Sequence, residues 1–338
     1  MLRLASQSFS VLTLVSAFIA PTLAADPYLS SIKNIFAFGD SYTAIGYNPS
    51  TNLRNVDLHN TTSGGEVWIQ YLAKNYTSAA SSFFDFASVG ATIDNNLVFS
   101  NPATDFGSQV GSFEKYFANS TGTQAIKWSA NDTIFAIWFG SDDLYNCFTS
   151  NKSFSDLIPQ LLTSYDRAFA RLYDLGARNF LILPLPELSA TPLALSSQTA
   201  TSTIASSVSA WNSQLDKYVS HLLTKYQEAN ATWYDTQALT QRVLSNPQSF
   251  TFTNLNSCCK AYSSLVNQPD ANDSSCDGSL EQYLWKNNWN PTFPFHQLLA
   301  TSIAMVCSFL LSRQNSVLML LFTWTRTGAA RRGTAKTY

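Results

Sequence analysis

Ser41 stands in the run Gly39-Asp40-Ser41-Tyr42. A serine hydroxyl becomes a nucleophile when a neighbouring base takes its proton. Three further motifs carry small or polar residues: Ala87-Ser88-Val89-Gly90-Ala91, Gly140-Ser141-Asp142-Asp143 and Asn287-Asn288-Trp289-Asn290-Pro291-Thr292. The chain has only three histidines, His59, His221 and His296. His59 lies in a polar loop, His221 on a helical stretch that reads as surface, and His296 near the start of the last helix. No CxxC pair and no His/Cys cluster occurs, so the sequence offers no zinc site.

The elements that place these motifs follow from the apolar pattern. Short apolar runs read as strands at Asn34 to Gly39, Phe83 to Ala87, Thr133 to Phe139, Asn179 to Leu183 and Thr232 to Tyr234. Helical patterns fall at Glu66 to Tyr76, Phe106 to Phe117, Phe154 to Leu175, Ile204 to Gln227 and Phe295 to Leu311, with Gly176 ending the third. Continuous apolar strands alternating with helices imply a parallel sheet covered on both faces. The expected architecture is one three-layer α/β/α sandwich with a central, mostly parallel sheet of about five strands. Such a sheet puts its chemistry outside the carboxyl ends of its strands. The first three motifs stand there.

Composition narrows the function. Charged residues are 12% and aromatics 14% of 338 residues, which excludes a disordered chain. A net charge of −2 gives no basic excess for nucleic acid. Arg3, the apolar stretch from Phe9 to Ile19 and the small residues Pro21 to Ala25 read as a secretory signal over residues 1–24. That stretch is too short for a membrane span. Secretion agrees with seven N-x-S/T sequons, at Asn60, Asn75, Asn119, Asn131, Asn151, Asn230 and Asn272. Of the five cysteines, Cys258 or Cys259 is expected to bridge to Cys276. Residues 30–311 form the domain, and 312–338 read as an atypical, disordered basic tail. Without Arg3 and the five basic residues after position 312, 14 positive and 22 negative side chains remain, a net −8.

Order and spacing of the four motifs resemble the SGNH or GDSL hydrolase family, in particular the secreted fungal acetylesterases of carbohydrate esterase family 16. The resemblance covers Asn34 to Leu311. It implies a serine ester hydrolase with no metal or organic cofactor, acting as a monomer on a small ester or acetylated carbohydrate. It implies Ser41 as nucleophile and the Ser41 and Gly90 N–H groups as donors to the oxyanion. The family pattern has Asn where this chain has Asp142, Asp where it has Asn287 and His where it has Asn290. Lys286 is a second match for the Asp position, and it is not acidic either. An amide cannot take and return a proton near neutral pH. Two readings follow: an esterase with a degenerate catalytic set, in which His296 substitutes as base, or an inactive protein of the same fold that binds glycan or a protein partner. Trp285 and Trp289 flank the last motif and are the candidates for stacking on a sugar, whereas Trp138 lies in a strand and is expected in the core.

Overall fold

The computed structural model describes residues 29–51, 60–78, 82–101, 104–118, 127–317 and 335–337. The expected signal, His59 and Asn119 lie outside these residues, as does 318–334 of the tail. Five strands run parallel: β1 (Asn34–Gly39), β2 (Ser82–Asp85), β3 (Thr133–Trp138), β4 (Asn179–Ile182) and β5 (Asn230–Tyr234), in the order β2-β1-β3-β4-β5. A short segment, β6 (Ala335–Thr337), pairs antiparallel with the edge of β5. Among the described residues the helices are α1 (Trp68–Tyr76), α2 (Phe106–Phe113), α3 (Ser141–Thr149), α4 (Phe154–Asp174), α5 (Gln198–Lys225), α6 (Thr236–Ser245) and α7 (Phe293–Val317). Helix α1 packs against α7, while α2 and α5 pack against α4. These two groups are the outer layers of the expected three-layer sandwich. No described helix is long and apolar enough to cross a membrane.

The high aromatic content has a structural use. Strand register aligns Phe84, Phe36, Phe135 and Phe180 across β2, β1, β3 and β4. Neighbouring rings in this row lie 5.4, 5.4 and 5.9 Å apart. Phe113 and Phe117 close over the row from α2 and the turn after it, with centroids 4.8 and 5.3 Å from Phe36. The row fixes the relative height of four strands, because a one-residue slip would move every ring to the other face.

Two helices were not legible as such in the sequence. Helix α3 grows straight out of Gly140-Ser141-Asp142-Asp143, and α6 is short with mostly polar residues. Helix α7 continues through Ser312 to Val317, past the end expected at Leu311 and into the first residues of the expected tail. The bridge forms between Cys259 and Cys276, with Cα atoms 5.7 Å apart. Cys258 is half-buried and Cys147 is buried.

Phe36→Ala removes the ring at the centre of the row. It is expected to lower stability by ~3–5 kcal/mol in urea unfolding. A loss under about 1 kcal/mol would show that the row does not hold the sheet.

Candidate active site

The site lies where β1, β2 and β3 end, and each connecting loop is shaped by backbone geometry. After β1 the chain turns at once. A Cβ at Gly39 would lie 2.7 Å from the Trp138 carbonyl, so the turn needs glycine. Asp40 accepts the Tyr42 N–H through Oδ1 at 3.0 Å and so caps the turn. This presents Ser41, 4% exposed, at the top of the sheet. Thr62 Oγ1 donates to the Ser41 carbonyl at 2.7 Å. After β2, Gly90 adopts φ +82°, a left-handed conformation suited to glycine. After β3, Gly140 at φ +113° starts α3, whose first turn carries Ser141, Asp142 and Asp143.

The fourth loop closes over these three. Trp285 bridges antiparallel to Pro291, and the Lys286 N–H donates to the Asn290 carbonyl at 2.9 Å. Inside this tight loop, Asn287 Oδ1 accepts the N–H groups of Trp289 at 2.8 Å and of Asn290 at 2.7 Å. Both donors are backbone N–H groups, so that atom of Asn287 must be the oxygen. Its amide nitrogen therefore faces outward and donates to Asn290 Oδ1 at 3.1 Å. The Asn290 nitrogen in turn donates to Ser41 Oγ at 2.8 Å. The chain Asn287–Asn290–Ser41 thus runs through side chains in the order of a catalytic triad, with every donor direction fixed.

Asp142 sits at 8% exposure, and the N–H groups of Ser41 and Gly90 act on its carboxyl. Burial pushes its pKa up to about 7, against the pull of those two N–H groups. Asp40 and Asp143 are also buried, and burial together with the charge of Asp142 raises both.

Three sequence expectations are corrected by these positions. Trp285 and Trp289 are 1% and 3% exposed, so neither ring offers a face to a sugar. Trp289 instead ties the loops together: its indole donates to Ser141 Oγ at 2.8 Å, and its carbonyl accepts from Tyr42 Oη at 2.6 Å. His296 is fully buried, and neither ring nitrogen has a hydrogen-bond partner. Its ring lies edge-on to Tyr42, and burial lowers its pKa to about 3. It stays neutral and makes no contact with Ser41 Oγ that a base requires. His221 is exposed on α5, as expected, and Trp138 is in the core.

Between the loops after β1 and β2 opens a cleft of about 540 Å³, whose wall includes Ala44 and Val89 but not Ser41, Gly90, Asp142 or Asn290. Tyr47, Asn60, Ser88, Val89 and Tyr116 are in its wall, and no acidic or basic side chain lines it among the described residues. The role of Trp289 and of Thr62 was hidden in the sequence, because both act through atoms that any pattern leaves unmarked.

A five-stranded parallel sheet in the order 2-1-3-4-5, covered on both faces by helices and carrying a serine on the turn after its first strand, is a doubly wound three-layer α/β/α sandwich of the SGNH kind. Residues 35–286 match the model of the GDSL-like lipase/acylhydrolase family, and the chain belongs to that family. The matched stretch holds Ser41, Gly90 and Asp142 and ends one residue before Asn287. The chain is similar to an acetylesterase of Thermothelomyces thermophilus, 27% identical over 286 residues, covering 81% of this chain and 88% of that one. It is also similar to an acetylesterase of Hypocrea jecorina, 30% identical over 182 residues, covering 48% and 50%. A solved α/β hydrolase from the metagenome of Lake Arreo, Spain, aligns with a TM-score of 0.47 at 12% identity, over 84% of this chain and 98% of that one.

The raised Asp142 has a consequence for stability. The folded protein holds the proton up to about pH 7, whereas the unfolded chain releases it near the ordinary value of 3.8. Stability contributed by this group is therefore present below the unfolded value and is lost as pH rises through the folded one. Asp142→Asn is expected to be more stable than wild type at pH about 8, by on the order of 2 kcal/mol, and equal to it at pH about 4. Parallel pH profiles of thermal unfolding for the two proteins would contradict this.

Proposed function

We propose that this chain is a secreted, acetylesterase-like member of its family in which hydrolysis is lost and a neutral ligand is bound in the cleft next to the site. One observation carries the reading: the amide nitrogen of Asn290 donates to Ser41 Oγ at 2.8 Å. A base must accept the serine proton, and here the neighbouring group offers a proton of its own instead. Asn290 cannot act as imidazole does, and Asn287 donates to it where a carboxylate would accept. Losing a base of this kind typically costs about 10⁴–10⁶ in turnover. The buried His296 supplies no replacement.

The cleft supports a neutral ligand. Its described wall combines amides, hydroxyls and two tyrosines without a charge, which suits an uncharged acetylated sugar. The two fungal relatives are named acetylesterases, which favours an acetyl ester over a long acyl chain. Secretion is supported by the Cys259–Cys276 bridge and by the sequons. The sequon asparagines Asn60, Asn75, Asn131, Asn151, Asn230 and Asn272 are all exposed, as glycan attachment requires.

Hydrolysis of an aryl acetate by the purified protein tests the reading. Wild type is expected to match Ser41→Ala at background. Turnover that Ser41→Ala abolishes would end the proposal. In the converse experiment, Asn287→Asp and Asn290→His combined with Asp142→Asn are expected to raise hydrolysis by about 10³-fold or more, because base and donor are both reinstated. For secretion, enzymatic removal of N-glycans from the exported protein should lower its apparent mass. An unchanged mass would argue against modification at these sites.

A further inference from the structure

Among the described sequon asparagines, only Asn60 stands in the wall of the cleft between the loops after β1 and β2. Asn131 and Asn230 lie at the amino ends of β3 and β5, at the opposite end of the sheet. Asn75 lies near the end of α1, and Asn272 in the segment enclosed by the Cys259–Cys276 bridge. A glycan on Asn60 therefore begins inside the wall of a site.

The root of that glycan is held in place. The Asn60 N–H donates to the Ile45 carbonyl at 3.2 Å. The other two sequon residues are tied as well. The Thr61 hydroxyl donates to the Gly65 carbonyl at 2.5 Å, and the Thr62 hydroxyl to the Ser41 carbonyl at 2.7 Å. The Asn60 side chain lies across Gly46, another residue of the cleft wall. A Cβ on Gly46 would lie 2.8 Å from Asn60 Cβ and 3.1 Å from its Nδ2. The side chain that takes the sugar is thus set against the wall, and the sequon around it is anchored.

The chemistry of wall and sugar agrees. The first residue of an N-glycan is an uncharged sugar that bears an acetamido group. The described wall carries polar groups at Asn48, Ser88 and Ser112 and the rings of Tyr47 and Tyr116, without a charged side chain. Its volume of about 540 Å³ falls within the roughly 300–1,000 Å³ of small-ligand sites. A ligand on a short tether meets its site at a local concentration on the order of mM, so even a weak sugar site is filled.

We propose that Asn60 carries an N-glycan whose first, N-acetylated sugar lies in this cleft, so that the protein's own glycan is the resident ligand. This rests on the reading that the chain is exported and that the cleft takes a neutral ligand. Attachment joins Asn60 Nδ2 to the anomeric carbon of a lipid-linked oligosaccharide, the donor of the export pathway. The amide nitrogen loses a proton, and the pyrophosphate of the lipid carrier leaves with the bonding pair. Transfer precedes closure of the turn after β1, because the Thr62 hydroxyl of the sequon is bonded to the Ser41 carbonyl once the chain is folded. A free acetylated sugar then enters the cleft only when the tethered one moves out.

The test uses the full chain exported from a eukaryotic host. Glycopeptide mass spectrometry is expected to find Asn60 modified. Asn60 bare in the exported protein overturns the proposal and leaves the cleft reading intact. Saturation-transfer NMR then compares binding of methyl N-acetyl-β-glucosaminide to wild type, Asn60→Gln and Asn131→Gln. Asn60→Gln is expected to bind about tenfold more tightly than the other two, because the tethered sugar no longer competes. Tyr116→Ala in the Asn60→Gln background is expected to lose that gain. Equal affinities in wild type and Asn60→Gln overturn the proposal while leaving the cleft reading intact. A gain that Asn131→Gln shares, or that survives Tyr116→Ala, also overturns the proposal. No binding to any of these proteins overturns the cleft reading and the proposal with it. Should Asn60→Gln fail to be exported, native wild type decides. Peptide N-glycosidase is expected to release the Asn60 glycan about tenfold more slowly than those at the other occupied sequons, and equal rates overturn the proposal.

Discussion

Trp289 joins the loops on which the site depends. Its indole reaches Ser141 at the start of α3, its carbonyl receives the Tyr42 hydroxyl from the turn after β1, and its own N–H fixes Asn287. The first two of these bonds are buried, so each would leave an unsatisfied polar group if broken. The indole also packs against Tyr145 of α3 at 5.3 Å. The turn after β1, the start of α3 after β3 and the fourth loop, far apart in sequence, are thereby held at one spacing. The serine and the two asparagines keep the order of a catalytic triad because this framework keeps their backbones in place. Chemistry at Ser41 is set by which atoms the side chains present, and shape is set by Trp289.

Much of this was readable in advance where local chemistry decides the outcome. Strands β1 and β3 are continuous apolar runs, and a run of that kind has few alternatives to a buried parallel strand. Ser41 and Asp142 were legible because they follow those strands directly, and Gly90 because it follows β2. Helix α6 was not, since its stability comes from packing of a few residues such as Leu239 and Val243 and not from a strong pattern. Nor were the fates of Trp285, Trp289 and His296. A tryptophan in a loop reads equally well as a ligand platform or as a plug, and only tertiary burial separates the two. The pairing of Cys259 over its neighbour Cys258 was likewise undecided by spacing, because adjacent residues close loops of nearly equal length.

Electrostatics gives the site its other constraint. Asp40, Asp142 and Asp143 are buried together at the head of the sheet, and burial raises all three. Asp143 spreads its load by accepting the Ile93 N–H on both oxygens at 3.1 Å. Asp40 spends one oxygen on the turn that presents Ser41. The helix α3 N-terminus favours negative charge on residues of its first turn. Retention of such a cluster at the head of the sheet makes the region a weak point in the fold and a sensitive one. Most of the remaining core is apolar and indifferent to protons.

The loop that carries Asn287 and Asn290 is also braced from outside the sheet. Lys286, only 4% exposed, donates its ammonium to the Ser263 carbonyl at 3.1 Å. Ser263 lies inside the segment closed by Cys259 and Cys276, 17 residues apart. A bridge of this kind narrows the conformations open to the segment it encloses. The carbonyl that anchors Lys286 is therefore held in place by oxidation elsewhere. The seat of the fourth loop thus depends on a covalent bond outside the sheet as well as on the apolar core, and breaking the Cys259–Cys276 bridge would loosen the loop that carries Asn287 and Asn290 without touching the aromatic row.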